Sequence, residues 1–89
     1  MKETLIGKIA VSKAGHDQNQ FFVILKAEDE YVYLVDGKVR TLDRPKKKKI
    51  KHIQLIDHSV DHIIDAYKEN KLMDSHVRKA IKQVIALDN

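Results

Sequence analysis

Apolar residues fall in short blocks over the first fifty-odd positions and at helical spacing thereafter. Residues 6–11 form one such block, broken at Gly7. They lead into a polar stretch, residues 12–20, in which Gly15 and Asn19 are residue types that tolerate positive φ. A shaped loop is therefore expected there. Residues 21–25, Phe-Phe-Val-Ile-Leu, are rich in aromatic and β-branched side chains and run on to the acidic turn Glu28-Asp29-Glu30. Residues 31–35 read as the next strand. Asp36-Gly37 then carries the signature of a two-residue hairpin turn, which predicts that residues 38–42 return antiparallel. Pro45 cannot donate to a ladder and marks a connector or an edge position. Residues 50–56, with Ile50, Ile53 and Leu55 in imperfect alternation, give a fifth strand.

Five short strands at this spacing suggest a small barrel, which closes its sheet and removes most exposed edges. The strand over 21–25 is apolar on both sides, with Phe21, Val23 and Leu25 pointing one way and Phe22 and Ile24 the other. A small barrel has one interior, so the outward set needs a cover. The tail supplies it. Val60, Ile63, Ile64 and Tyr67 fall at i, i+3, i+4, i+7 with Ser59 as N-cap. After a break at Asn70, Val77, Ala80, Ile81, Val84 and Ile85 repeat the stripe with Asp74 or Ser75 as cap. Helices of about three turns are marginal alone, so these are expected to pack on the barrel and on each other. The alternative is that one stripe forms a dimer contact, and the chain is expected to be a monomer or a weak homodimer. The expected fold class is mainly β with C-terminal helices: a five-stranded barrel over residues 1–57, then two amphipathic α-helices in a 58–89 extension.

Composition changes this picture in four ways. Apolar residues make up 43% and charged ones 34%, so the low-hydrophobicity signature of disorder is absent. There is no cysteine, hence no disulfide framework and no thiolate metal site. The chain is short of any 18-residue apolar run, and Lys2, Glu3 and Lys8 around the first apolar residues do not make a signal peptide, so a cytoplasmic protein without a membrane partner is expected. The fourth point is charge. The net +4 conceals a segment, residues 37–54, with eight Lys/Arg against Asp43 alone, while residues 1–36 and 55–89 are each slightly acidic. Such a cluster repels itself unless solvent or a polyanion screens it. A solvated loop, an anionic lipid surface and nucleic-acid phosphates are the three readings; the lipid one is weakest because no amphipathic or lipidation signal accompanies the run, and nucleic acid leads.

The stretch Gly7-Lys8-Ile9-Ala10-Val11-Ser12-Lys13-Ala14-Gly15-His16-Asp17-Gln18-Asn19-Gln20-Phe21-Phe22-Val23-Ile24 resembles a KOW motif. Its continuation through Asp36-Gly37-Lys38-Val39-Arg40-Thr41-Leu42 and Arg44-Pro45-Lys46-Lys47-Lys48-Lys49 strengthens the likeness. Over roughly residues 5–56 the chain resembles small bacterial KOW-domain RNA-binding proteins, relatives of KOW-containing large-subunit ribosomal proteins of archaea and eukaryotes. That resemblance implies an SH3-like barrel that binds ribosomal or other structured RNA without catalysis, in association with the ribosome or translation. The family's loop usually has a basic residue after its first glycine and a Lys-Gly pair where this chain has Gln18-Asn19. Here His16, Gln18, Asn19 and Gln20 stand in those places, so loop contacts to RNA would be hydrogen bonds from polar groups rather than ion pairs.

The expected RNA-binding residues are therefore Lys13, Arg40, Arg44, Lys46, Lys47, Lys48, Lys49, Lys51 and His52, with His16, Gln18, Asn19 and Gln20 as loop contacts. An extended lysine run advances about 3.3 Å per residue, so alternate side chains can meet successive phosphates. Such contacts fix register without reading sequence. Tyr31 and Tyr33 share a strand face and are the better placed aromatics for stacking. The rival reading is an SH3-like protein-interaction module whose basic run recruits an acidic partner. Other chemistry finds no support in the residues. His58 and His62 are four apart and could face one way on a helix, but a zinc site needs a third protein ligand and solvated helix positions account for these histidines, so no metal site and no cofactor is expected. Ser12, Ser59 and Ser75 lack a base and oxyanion donors, and Gly7, Gly15 and Gly37 form no phosphate loop. An enzyme is not expected.

Overall fold

The computed structural model describes residues 5–59 and 61–88, without the side chains of residues 57–62 and 88. Five strands come first: β1 (Lys8–Ser12), β2 (Phe21–Glu28), β3 (Tyr31–Val35), β4 (Lys46–Lys49) and β5 (Ile53–Ser59). Helices α1 (Asp61–Lys68) and α2 (Asp74–Asp88) follow. All ladders are antiparallel, in the order β4-β3-β2-β1-β5. The protein is thus mainly β with two C-terminal helices.

The two edge strands are consecutive in the chain, joined only by a 3-10 turn over Ile50–His52. Five flat strands would set their edges about 19 Å apart at about 4.8 Å per step, whereas three 3-10 residues reach only about 6 Å. The sheet must therefore coil until its edges approach. Bulges between Lys8 and Ala10 and between Ile24 and Lys26 supply the bends. The connector is tied at both ends: Ile50 N–H donates to Glu30 O (2.8 Å) and Lys13 N–H to His52 O (2.8 Å). Among the described residues no ladder pairs β4 with β5, so the sheet is open.

Coiling separates two apolar layers, as the two-sided pattern of residues 21–25 requires. Ala10, Phe22, Ile24, Val32 and Leu34 fill the concave side, with Ile50 and Ile53 against them. Ile9, Val23 and Val35 on the convex side meet Ile63, Val77, Ala80 and Val84 from the helices, with Phe21, Leu25 and Ile81 at the margin. Each fully buried aliphatic side chain contributes roughly 1.5–3 kcal/mol relative to exposure, which is what holds two short helices in place. Asn70 takes positive φ (62°) at the break between them. Helix α1 spans eight residues and α2 fifteen, rather than three turns each. The proposed cap Ser59 and stripe residue Val60 lie outside the described side chains.

Two expectations need correction. Residues 38–42 are not a strand. The Asp36 carboxylate accepts from the backbone N–H groups of Lys38 and Arg40, both at 2.9 Å, and Asp36 N–H donates to Arg40 O at 2.9 Å. That local closure folds the segment into a loop instead of an Asp-Gly hairpin. The tight hairpin lies one turn earlier, at Asp29-Glu30, where Asp29 has φ of 54° and Glu28 pairs with Tyr31. The fourth strand is instead the lysine run itself. The first part of the expected strand over 50–56 is likewise the 3-10 turn, and β5 extends to Ser59.

Candidate nucleic-acid interface

Four consecutive lysines have low strand propensity, yet they pair in full with β3: Tyr31 faces Lys49, Val32 Lys48, Tyr33 Lys47 and Leu34 Lys46. Opposed residues in an antiparallel ladder share a face. Lys46 and Lys48 therefore point with Leu34 and Val32 to the concave side, while Lys47 and Lys49 point with Tyr33 and Tyr31 to the convex side. The run is split into two pairs with different fates.

The inward pair is neutralised inside the protein. Lys48 is 8% exposed, and its Nζ donates to Asp17 Oδ1 (2.6 Å) and Ala14 O (2.7 Å). Lys46 Nζ lies 2.6 Å from Asp17 Oδ2, an ion pair outside hydrogen-bonding angles, so that Oδ2 has no hydrogen-bond partner. The buried Ser12 hydroxyl lies 2.7 Å from Asp17 Oδ1 and 3.0 Å from Ala14 O. Burial alone would raise the Asp17 carboxyl. The ammonium groups of Lys46 and Lys48 and the Ser12 hydroxyl outweigh it and hold Asp17 well below the usual carboxylate range.

The loop that presents Asp17 is rigid for reasons written in its sequence. Gly15 (φ 85°) and Asn19 (φ 73°) do occupy the left-handed region. Asn19 N–H donates to Ser12 O (2.8 Å), Gln20 N–H to Asp17 O (3.0 Å) and Ser12 N–H to Gln20 O (3.0 Å). The side chains of Lys13, His16, Gln18, Asn19 and Gln20 are left exposed around it.

The outward pair makes a cation–aromatic surface. Lys47 Nζ sits 4.3 Å from the centroid of the Tyr31 ring, and Lys26 Nζ 5.4 Å from that of Tyr33. Lys26 also pairs with Glu28 at 3.1 Å, which raises its pKa, whereas no carboxylate pairs with Lys47 or Lys49 among the described ion pairs. Lys47 and Lys49 stand about 7 Å apart on one face. Lys51 is exposed on the 3-10 turn, next to half-buried His52, whose carbonyl holds Lys13. Arg44 is exposed at the approach to β4. Arg40 and Lys46 line a recess of about 250 Å³ with His16 and Gln20.

The expected RNA-binding residues thus do not form one surface. The structure brings Lys47, Lys49, Lys51, His52 and Lys13 around the β4–β5 connector, and sets Arg40 beside the Gly15–Asn19 loop. It withdraws Lys48 altogether and ties Lys46 to Asp17. Sequence reading missed Asp17 as their counter-ion, since it lies 31 residues from Lys48. It also missed Lys38, Arg78, Lys79 and Lys82, which flank a larger groove along α2. For Arg78, Lys79 and Lys82 the available signal was their spacing on the flank of the α2 stripe. The His58/His62 pair lies outside the described side chains, and among the described residues no His/Asp/Glu group is arranged to hold a metal ion. Among them, too, no helix is long and apolar enough to cross a membrane. Compared with known proteins, the chain matches no family model and has no significant match among curated proteins.

Proposed function

We propose that this protein is a noncatalytic RNA-binding module of the KOW type, an SH3-like barrel that docks on ribosomal or another structured RNA in the cytoplasm. The strand order, with β5 returning through a 3-10 turn to pair with β1, supports the barrel reading. The observation that carries the function is the convex face of β3 and β4. Lys47 and Lys49 present paired charges beside Tyr31 and Tyr33 on a strand whose other lysines are consumed internally. Phosphates displace counterions from the lysines, and a base edge or ribose lies over a tyrosine ring. Lys51, Arg44 and Lys13 extend the track, and the Gln18-Asn19-Gln20 edge adds neutral donors. Such contacts recognise backbone shape more than base sequence.

With four or five phosphate contacts, the slope of log affinity against log salt is about −3 to −4.5. Changing Lys47 and Lys49 to Ala flattens it by about 1.4–1.8, while Lys46→Gln leaves it unchanged. Fluorescence anisotropy with ribosomal RNA fragments over a salt series measures both. Full affinity in the Lys47/Lys49 variant would refute the proposal.

A further inference from the structure

The groove between α2 and the segments around Phe21 and Lys38 has a different chemistry from the β4 face. It encloses about 960 Å³. Its floor is aliphatic and aromatic: Ile81 and Ile85 from α2 meet the edge of Phe21. Its walls are cationic, with Lys38 on one side and Lys79 and Lys82 on the other, all exposed. On α2 the positions 78, 81, 82 and 85 fall at i, i+3, i+4, i+7, so basic and apolar groups interleave along one ridge.

The walls are fixed before any ligand arrives. Arg78 Nη1 donates to Gly37 O at 2.6 Å, and Leu42 N–H donates to the Asp74 carboxylate at 2.8 Å. Gly37 approaches so closely that a Cβ there would stand 2.5 Å from Asp74 O. A preformed groove loses little entropy on binding. The acid on its lining, Asp36, already accepts two backbone N–H groups through Oδ1.

We infer that this groove binds an acidic amphipathic segment of a partner protein, whose aliphatic side chains cover Phe21, Ile81 and Ile85 while its carboxylates meet Lys38, Lys79 and Lys82. Charge complementarity selects an anion. The floor then decides which anion. A polynucleotide gains from flat rings on which to stack, and Phe21, half-buried against the core, is the one ring here. Phosphates gain nothing from Ile81 and Ile85, whereas Leu or Ile side chains bury against them. Ile85 is 39% exposed and Leu87 beyond it 70%, which leaves apolar surface for a partner to cover. This inference does not rest on the RNA reading, because it uses none of the β4 residues.

The test is selection from a random twelve-residue peptide library against the chain of residues 1–89 at physiological salt, followed by calorimetry on the enriched peptides. The expected peptides combine Asp or Glu with Leu or Ile at i, i+3 or i+4 spacing. They lose about tenfold or more in affinity to a Lys79→Glu/Lys82→Glu variant and to Ile85→Ser, both of whose circular dichroism spectra match the parent. Lys47→Ala/Lys49→Ala leaves their affinity unchanged. Failure to enrich any peptide, enrichment without acidic residues, or undiminished binding to the charge-reversed variant each overturns the inference. So does an oligouridylate that competes the peptides off this groove and loses affinity in the Lys79→Glu/Lys82→Glu variant.

Discussion

Replacing Asp17 by Asn removes the charge that holds Lys48 inside the protein while keeping the side chain's shape. The carboxylate is buried, and it faces two ammonium groups and the Ser12 hydroxyl. Breaking a buried ion pair by removing one partner typically costs about 3–5 kcal/mol, because the remaining charge is left uncompensated. Ala14 O still accepts from Lys48, so the lower end, about 3 kcal/mol, is expected. A domain of this length has about 4–13 kcal/mol of total stability, and the loss corresponds to a Tm lower by roughly 12–24 °C. Urea unfolding followed by circular dichroism measures it. The control is Asp17→Asn combined with Lys48→Met, which removes the stranded charge and recovers about 2 kcal/mol. The reasoning fails if Asp17→Asn stays within about 1 kcal/mol of the parent, or if adding Lys48→Met brings no recovery.

Three further outcomes follow from the same geometry. Because the Asp17 carboxyl is depressed in the folded state, its stabilisation is complete above the ordinary carboxylate range, about pH 4, and is lost as pH falls toward the folded value. Stability measured from pH 5 to pH 2 should therefore fall less steeply in the Asp17→Asn/Lys48→Met protein than in the parent. Gly37→Ala should destabilise by about 2 kcal/mol or more, since φ is +78° and the new methyl meets the backbone oxygen of Asp74; thermal melting measures it. Asp74→Ala removes the acceptor for Leu42 N–H and a favourable charge in the first turn of α2, a loss of about 1–2 kcal/mol readable in urea midpoints.

Where the chain's own pattern carried tertiary information, the elements could be read. Phe21 to Leu25 is apolar on both faces, and a strand of that kind must lie between two layers. Val77, Ala80 and Val84 form a single stripe, and a helix of that kind must cover something. Gly15 and Asn19 were legible because positive φ is restrictive. What could not be read depends on contacts distant in sequence. The strand over Lys46–Lys49 has neither propensity nor alternation in its favour. It exists because Tyr31–Val35 offers an unpaired edge and because Asp17 receives the two inward ammonium groups. Asp36-Gly37 carried a hairpin signal, but the Asp36 carboxylate closes on Arg40 N–H before a return strand can form. The candidate site shared this fate. Its cations were visible as composition, and only the pleat, invisible in a row of identical residues, divides them into structural and available halves.

That division also bears on self-association. A strand on the rim of an open sheet offers a row of unsatisfied amides and carbonyls to any passing chain, and coiled β-rich domains are vulnerable there. One rim is β4, and a second copy zipping onto it in antiparallel fashion would align its own lysine row against the first, setting the outward Lys47 and Lys49 of one copy beside those of the other while Lys46 and Lys48 stay paired with Asp17. The pairing that hydrogen bonds would favour is thus opposed by repulsion between like charges. The two outward lysines that equip the surface for a polyanion thus also oppose pairing through this edge.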